Sequence, residues 1–142
     1  MAALVAGLAA CAAAPPPAPL QPASISTSLG VRLEEYVRTP EGLYWKDVEV
    51  GTGAAAAVNS RVNVAYRGVL ANGVPFDSSG NLAVRLSQDP VIKGWKLGIP
   101  GMKAGGARVL VIPPELGYGG RGVGAIPPNS TLIFRVQLIR VQ

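Results

Sequence analysis

The chain has no histidine, and its single cysteine, Cys11, falls inside an N-terminal apolar stretch. Without an imidazole, histidine-based nucleophilic triads and His/Cys zinc sites are excluded. One cysteine excludes a disulfide within the chain, so Cys11 is free, modified or joined to another molecule. Charged residues make up only 15% of the chain and aromatic residues 6%. From Lys93 onward seven Lys and Arg stand against Glu115 alone, but these cations are scattered and have no aromatic interleaving. The net charge of +5 therefore reads as a solvated basic surface, and no nucleic-acid partner is expected.

What remains is enough for one domain. A chain of 142 residues, 49% of them hydrophobic, can bury a real core. Its 18 glycines and 13 prolines, set among strand-like segments, indicate many turns and few long helices. Three segments follow from the composition. Residues 1–10 are small and apolar, too short for the roughly 20 residues of a membrane span, and have the character of a signal-peptide core. Leu8-Ala9-Ala10-Cys11 resembles the lipobox of bacterial lipoproteins, which implies a lipidated Cys11, export and a membrane anchor. No Lys or Arg precedes Arg32, a departure from the usual charged start of a signal peptide. Residues 11–38 then read as a tether, with Pro15, Pro16, Pro17, Pro19 and Pro22 making an extended spacer. Within it, residues 31–37 fit either a short helix or an edge segment.

Residues 39–142 read as the folded body. Strand character begins near Leu43 and is clear over residues 61–70, where Val62, Val64, Tyr66 and Leu70 share one face and Arg61, Asn63 and Arg67 the other. Asn72-Gly73 marks a hairpin-type turn. Further strands are expected at 82–86, 107–112 and 131–141, the last with Leu132, Phe134, Val136 and Leu138 alternating with more polar positions. Residues 91–102 carry Trp95 and Leu97 but are broken by Gly94, Gly98 and Pro100, so only a short helix fits. The expected class is α+β, an antiparallel sheet with one short helix on a face.

Six pieces in order carry a resemblance: Gly42-Leu43-Tyr44, Val64-Ala65-Tyr66-Arg67-Gly68, Phe76-Asp77-Ser78-Ser79, Val91-Ile92-Lys93-Gly94-Trp95, Leu116-Gly117-Tyr118-Gly119 and Ile126-Pro127-Pro128. Over residues 39–142 the chain resembles the FKBP-type peptidyl-prolyl isomerases. That resemblance implies a strongly bent antiparallel sheet wrapped around the helix, with an aromatic pocket between them. It implies aromatic walls and floor from Tyr66, Phe76, Trp95 and Phe134, aliphatic sides from Val91, Ile92 and Ile126, and polar groups from Asp77 and Tyr118. The Ile92 N–H would hold one substrate carbonyl and the Tyr118 hydroxyl would donate to another. Proline-containing polypeptides and macrolide inhibitors are the implied partners, and no cofactor or metal is implied.

The chemistry suits this composition. Rotation about an X-Pro bond crosses a barrier of roughly 18–20 kcal/mol because the twisted amide loses resonance. Its charge separation falls as it twists, so a dry apolar pocket favours the twisted state without any bond being cut. Two departures from the family stand out. Between Asp77 and Leu82 only Ser78-Ser79-Gly80-Asn81 intervenes, a short loop lacking the arginine that often pairs with the aspartate. Leu82 also stands where many members carry an aromatic. The expected activity is prolyl isomerisation during the folding of exported proteins, in the periplasm, by a monomer. The alternative is a chaperone module that holds proline segments without catalysis.

Overall fold

The computed structural model describes residue 25 and residues 29–142; the 1–10 segment, Cys11 and the proline cluster lie outside the described residues. Strands β1 (Val37–Arg38), β2 (Tyr44–Glu49), β3 (Arg61–Leu70), β4 (Pro75–Arg85), β5 (Ala107–Ile112) and β6 (Leu132–Val141) form one antiparallel sheet, and helix α1 (Lys93–Gly98) lies between β4 and β5 in the chain. The strand order is β1-β2-β5-β6-β3-β4, so the sheet is open, with β1 and β4 at its edges. The α+β expectation holds. Among the described residues no helix is long and apolar enough to cross a membrane.

Alternation along the two long central strands divides the sheet into faces. Val62, Val64 and Leu70 of β3 and Leu132, Phe134, Val136 and Leu138 of β6 enter the main core with Leu110 and Ile112 of β5. Helix α1 covers this face, and its glycines have a second use beyond limiting its length. A Cβ on Gly94 would come within 2.6–2.7 Å of three Ile112 side-chain atoms, and one on Gly98 within 2.6 Å of Leu110. One helical turn apart, the two glycines let the helix backbone rest directly on β5. Trp95, between them, is thereby held in the core at 5% exposure.

The other face is not left bare. Ile25, Leu33, Tyr44, Val69, Val111 and Ile133 form a second buried cluster, with Leu29, Val31 and Tyr36 packed against it. Part of the stretch read as tether therefore lies on the sheet. It forms a 3₁₀ turn at Leu33–Glu35 and then the edge strand β1, so both readings of residues 31–37 are realised in sequence.

One sequence expectation is corrected outright. The strand placed at 82–86 begins seven residues earlier, and Ser78-Ser79-Gly80-Asn81 lies within β4 and is not a loop. The slack is taken up by a bulge, since Val64 faces Leu82 while Tyr66 faces Ser79. A second bulge lies between Gly68 opposite Asp77 and Val69 opposite Pro75, which leaves Phe76 as the extra residue. Bulges bend a strand and sharpen its twist, so these irregularities curve the β3–β4 pair around the helix side.

Arg108 ties the helix to the far strands. Its Nε donates to Asp47 Oδ1 at 2.7 Å, Nη2 to Asp47 Oδ2 at 3.3 Å, and Nη1 to the Gly98 carbonyl at the end of α1 at 2.9 Å. The guanidinium also lies 4.1 Å from the Trp45 ring centroid. Arg108 is 6% exposed, so its removal leaves Asp47 and the Gly98 carbonyl without their partner. Arg108→Met is expected to cost about 2–3 kcal/mol, below the range for breaking a fully buried pair because Asp47 is partly solvated. Urea unfolding measures it, and a loss within the scatter of surface substitutions would contradict this role.

Candidate functional site

A cavity of about 130 Å³ opens between the helix and the curved β3–β4 pair. Trp95, from the middle of α1, meets Tyr66 edge-on at 4.9 Å between ring centroids and Phe134 at 5.4 Å. Phe76 stands perpendicular to Phe134, also at 5.4 Å. Such edge-to-face contacts are worth about 0.5–1.5 kcal/mol each beyond their burial. They hold the four rings as one rigid set. Leu82, Pro90, Val91 and Ile92 supply aliphatic sides, and Asp77 and Tyr118 supply the polar groups.

The bulge at Phe76 explains why two consecutive residues, Phe76 and Asp77, both line the cavity. In a regular strand neighbours point to opposite faces, and an inserted residue re-aims the chain. Gly68 lies directly opposite both Asp77 and Phe134 in the sheet. A Cβ there would meet Phe76 Cζ at 2.6 Å and Phe134 Cε1 at 2.7 Å, so the ring set requires glycine at this position.

The missing arginine does not leave Asp77 without a partner. The Tyr66 hydroxyl donates to Asp77 Oδ2 at 2.7 Å, and the Ser78 N–H donates to Asp77 Oδ1 at 2.8 Å. Burial first, and then this hydrogen bond, push the Tyr66 phenol up to about 12, so it remains a donor throughout the neutral range. The Tyr118 phenol is also raised, first by burial and then by the charge of Asp77. For Tyr66 the fold favours the protonated form. The stability from this group is therefore intact below its ordinary value of 10 and is lost as pH rises from 10 through about 12. Tyrosinate absorbance followed against pH should show one tyrosine titrating near 12, and Tyr66→Phe should remove that step.

Three donors around the cavity have no acceptor among the described residues. The Trp95 indole N–H is buried without a partner, at a cost of about 1–3 kcal/mol. The Ile92 N–H lies just before the first turn of α1, where no preceding carbonyl reaches it. The Tyr118 hydroxyl is the third. Tyr118 follows the 3₁₀ turn Pro114–Leu116 in a loop that is closed on itself, with the Asn129 N–H donating to the Gly119 carbonyl at 2.8 Å and Val123 and Ile126 exchanging hydrogen bonds. Positive φ at Gly119, Gly122 and Gly124 permits that closure.

Of the residues singled out in the sequence, Tyr66, Phe76, Asp77, Leu82, Val91, Ile92, Trp95, Tyr118 and Phe134 converge on this cavity. Ile126 does not. Expected as a side wall, it is 7% exposed and packed in the core cluster that also holds Trp95 and Phe134. Pro90 lines the cavity without having been singled out; its place directly before Val91-Ile92 was the available signal. Cys11 lies outside the described residues. Among the described residues no group of acids or sulfur ligands is arranged to hold a metal.

The fold is an α+β domain with an aromatic cup whose lining includes the polar side chains of Asp77 and Tyr118. Residues 53–139 match the FKBP-type peptidyl-prolyl cis-trans isomerase family. The chain belongs to that family. It is 47% identical over 105 residues to the FK506-binding protein of Neisseria meningitidis serogroup B, covering 70% of this chain and 96% of that protein. It is 45% identical over 109 residues to FK506-binding protein 4 of Neurospora crassa, which aligns over 75% of this chain but only 23% of the fungal protein. The chain thus spans about a quarter of the length of that relative. The crystal structure of FkpA from Escherichia coli superposes with a TM-score of 0.71 at 44% identity, covering 77% of this chain and 52% of that one.

Proposed function

We propose that the protein is a peptidyl-prolyl cis-trans isomerase acting in the Trp95 cavity. The observation that carries this reading is the cavity's makeup, four interlocked rings with donors held at its edge. A proline ring seats on Trp95 between Tyr66, Phe76 and Phe134. The Ile92 N–H and the Tyr118 hydroxyl hold carbonyls of the flanking chain, which leaves rotation to the one bond inside. There the amide sheds charge separation in apolar surroundings, which lowers the barrier relative to water. Asp77 acts by accepting from Tyr66, fixing the ring that forms one wall. Macrolides that present a proline-like ring compete for the same volume.

The clients are exported proteins, in the periplasm, and the domain is a monomer carried on a lipid at Cys11. This part rests on the apolar run, the Leu8-Ala9-Ala10-Cys11 tetrad and the proline-rich stretch behind it. Mass analysis of the native protein tests it; an intact Met1 would contradict it. The isomerase reading is tested by refolding a protein limited by a cis proline, a step of about 10–100 s unassisted. Catalytic amounts of this chain should shorten that phase, and a macrolide should restore it. An unchanged phase with proline peptide still bound would favour a holding module.

A further inference from the structure

The sheet carries a second cavity besides the aromatic one. On the opposite face, beneath the segment that enters β1, lies a volume of about 390 Å³, within the range of small-molecule sites. The sheet lays out its floor in two neighbouring rows. In one, Val111, Ile133 and Val69 are paired across β5, β6 and β3; in the next, Val109, Arg135 and Arg67 are. Leu29, Val31 and Tyr36 form the covering wall. The cavity is therefore aliphatic over one row and cationic at the next.

Arg67 and Arg135 stand directly opposite each other on adjacent strands. Like charges in that relation repel and destabilise the pair. Neither guanidinium has a carboxylate partner among the described residues. The cavity's lining contains no acid, and Glu34 and Glu35, beside the covering segment in sequence, pair with Arg32 and Lys46. The first 33 residues of the chain contain no Asp or Glu, so the N-terminal stretch cannot supply the missing charge. Two planar guanidinium forks side by side match a carboxylate, which each can grip through paired N–H donors.

We propose that this cavity binds an aliphatic carboxylate of the fatty-acid class, its head between Arg67 and Arg135 and its chain over Val69, Ile133 and Val109 under Leu29 and Val31. The site is independent of the isomerase reading, because alternation along β3 and β6 puts Tyr66 and Phe134 on the other face. Isothermal titration of the full chain with decanoate tests it. Saturable one-to-one binding is expected, surviving when a proline peptide fills the aromatic cavity. The Arg67→Gln/Arg135→Gln double variant should bind decanoate about tenfold or more weakly, as loss of charged hydrogen bonds requires. Both positions are exposed and the change removes their mutual repulsion, so the variant should fold with an unfolding midpoint no lower than that of the wild type. Acetate, which lacks the chain, and decanol, which lacks the charge, should each bind far more weakly. Absent binding, equal binding by the double variant, displacement by the proline peptide, or a preference for decyl phosphate would each overturn the assignment.

Discussion

Alanine at Gly68 is expected to lower kcat/KM by about 100-fold, the scale associated with an ångström of misplacement at a reacting centre. The added methyl meets Phe76 and Phe134 at once, both inside 3.0 Å. Phe134 is 3% exposed and packed in the core, so Phe76, half-buried in the edge strand, is the ring that yields, and its displacement reshapes the cavity it lines. Overpacking of this kind costs about 1–3 kcal/mol in stability. That loss is small against the 5–15 kcal/mol of an ordinary domain, so the variant should fold and still be slow. Wild-type catalysis by Gly68→Ala, measured with peptide substrate alongside thermal unfolding, would mean that the ring arrangement does not set the rate.

Leucine at Asp77 should reduce kcat/KM by about 10- to 100-fold while leaving the unfolding midpoint nearly unchanged, because Asp77 is exposed and outside the core. The Tyr66 hydroxyl then loses the acceptor at 2.7 Å that fixes its ring beside Trp95. Asparagine keeps an acceptor oxygen at the same place and should retain much of the activity. An Asp77→Asn variant as slow as Asp77→Leu would show that the carboxylate charge, and not its hold on Tyr66, is what the reaction uses. The tyrosine titration reads the hydrogen bond independently of rate, since Asp77→Leu should lower the Tyr66 phenol from about 12 while burial, the larger cause, still holds it above its ordinary value.

Much of the architecture was legible because it depends on period-two alternation. Leu132, Phe134, Val136 and Leu138 declare one buried face in the sequence and occupy it in the sheet. The short helix was legible from its glycines, but their reason was not. Gly94 and Gly98 were read as breaking a helix, whereas they allow it to touch Ile112 and Leu110, a relation between segments distant in sequence. Bulges escaped for a similar cause. Nothing local in Phe76-Asp77 or in Ser78-Ser79-Gly80-Asn81 shows that β3 runs short against β4 by a residue at each point. Consequently a loop was expected where a bent strand lies, and the Tyr66 partner of Asp77 was not foreseen.

Burial of Ile126 and of the second face was hidden for another reason. An isoleucine beside two prolines has the same composition whether it lines a cavity or packs in the core, and only its contacts in the folded chain tell which. Residues 29–36 look like the end of a spacer until Leu33 and Tyr36 are seen against Val69, Val111 and Ile133. The paired arginines on that face follow from register alone. Arg67 was visible as a polar-face residue of its strand, but Arg135 becomes its neighbour only when β3 and β6 are aligned.

The central claim is that the Trp95 cavity lowers the barrier to rotation about an X-Pro bond. Exchange NMR on a short X-Pro peptide, with the protein at a small fraction of the peptide concentration, reads that rotation without a coupling enzyme. The account predicts cis–trans exchange well above the uncatalysed 10–100 s timescale rate, abolished by a macrolide and reduced about 10- to 100-fold by Asp77→Leu. Exchange at the uncatalysed rate, with peptide resonances still shifted by binding, would contradict it.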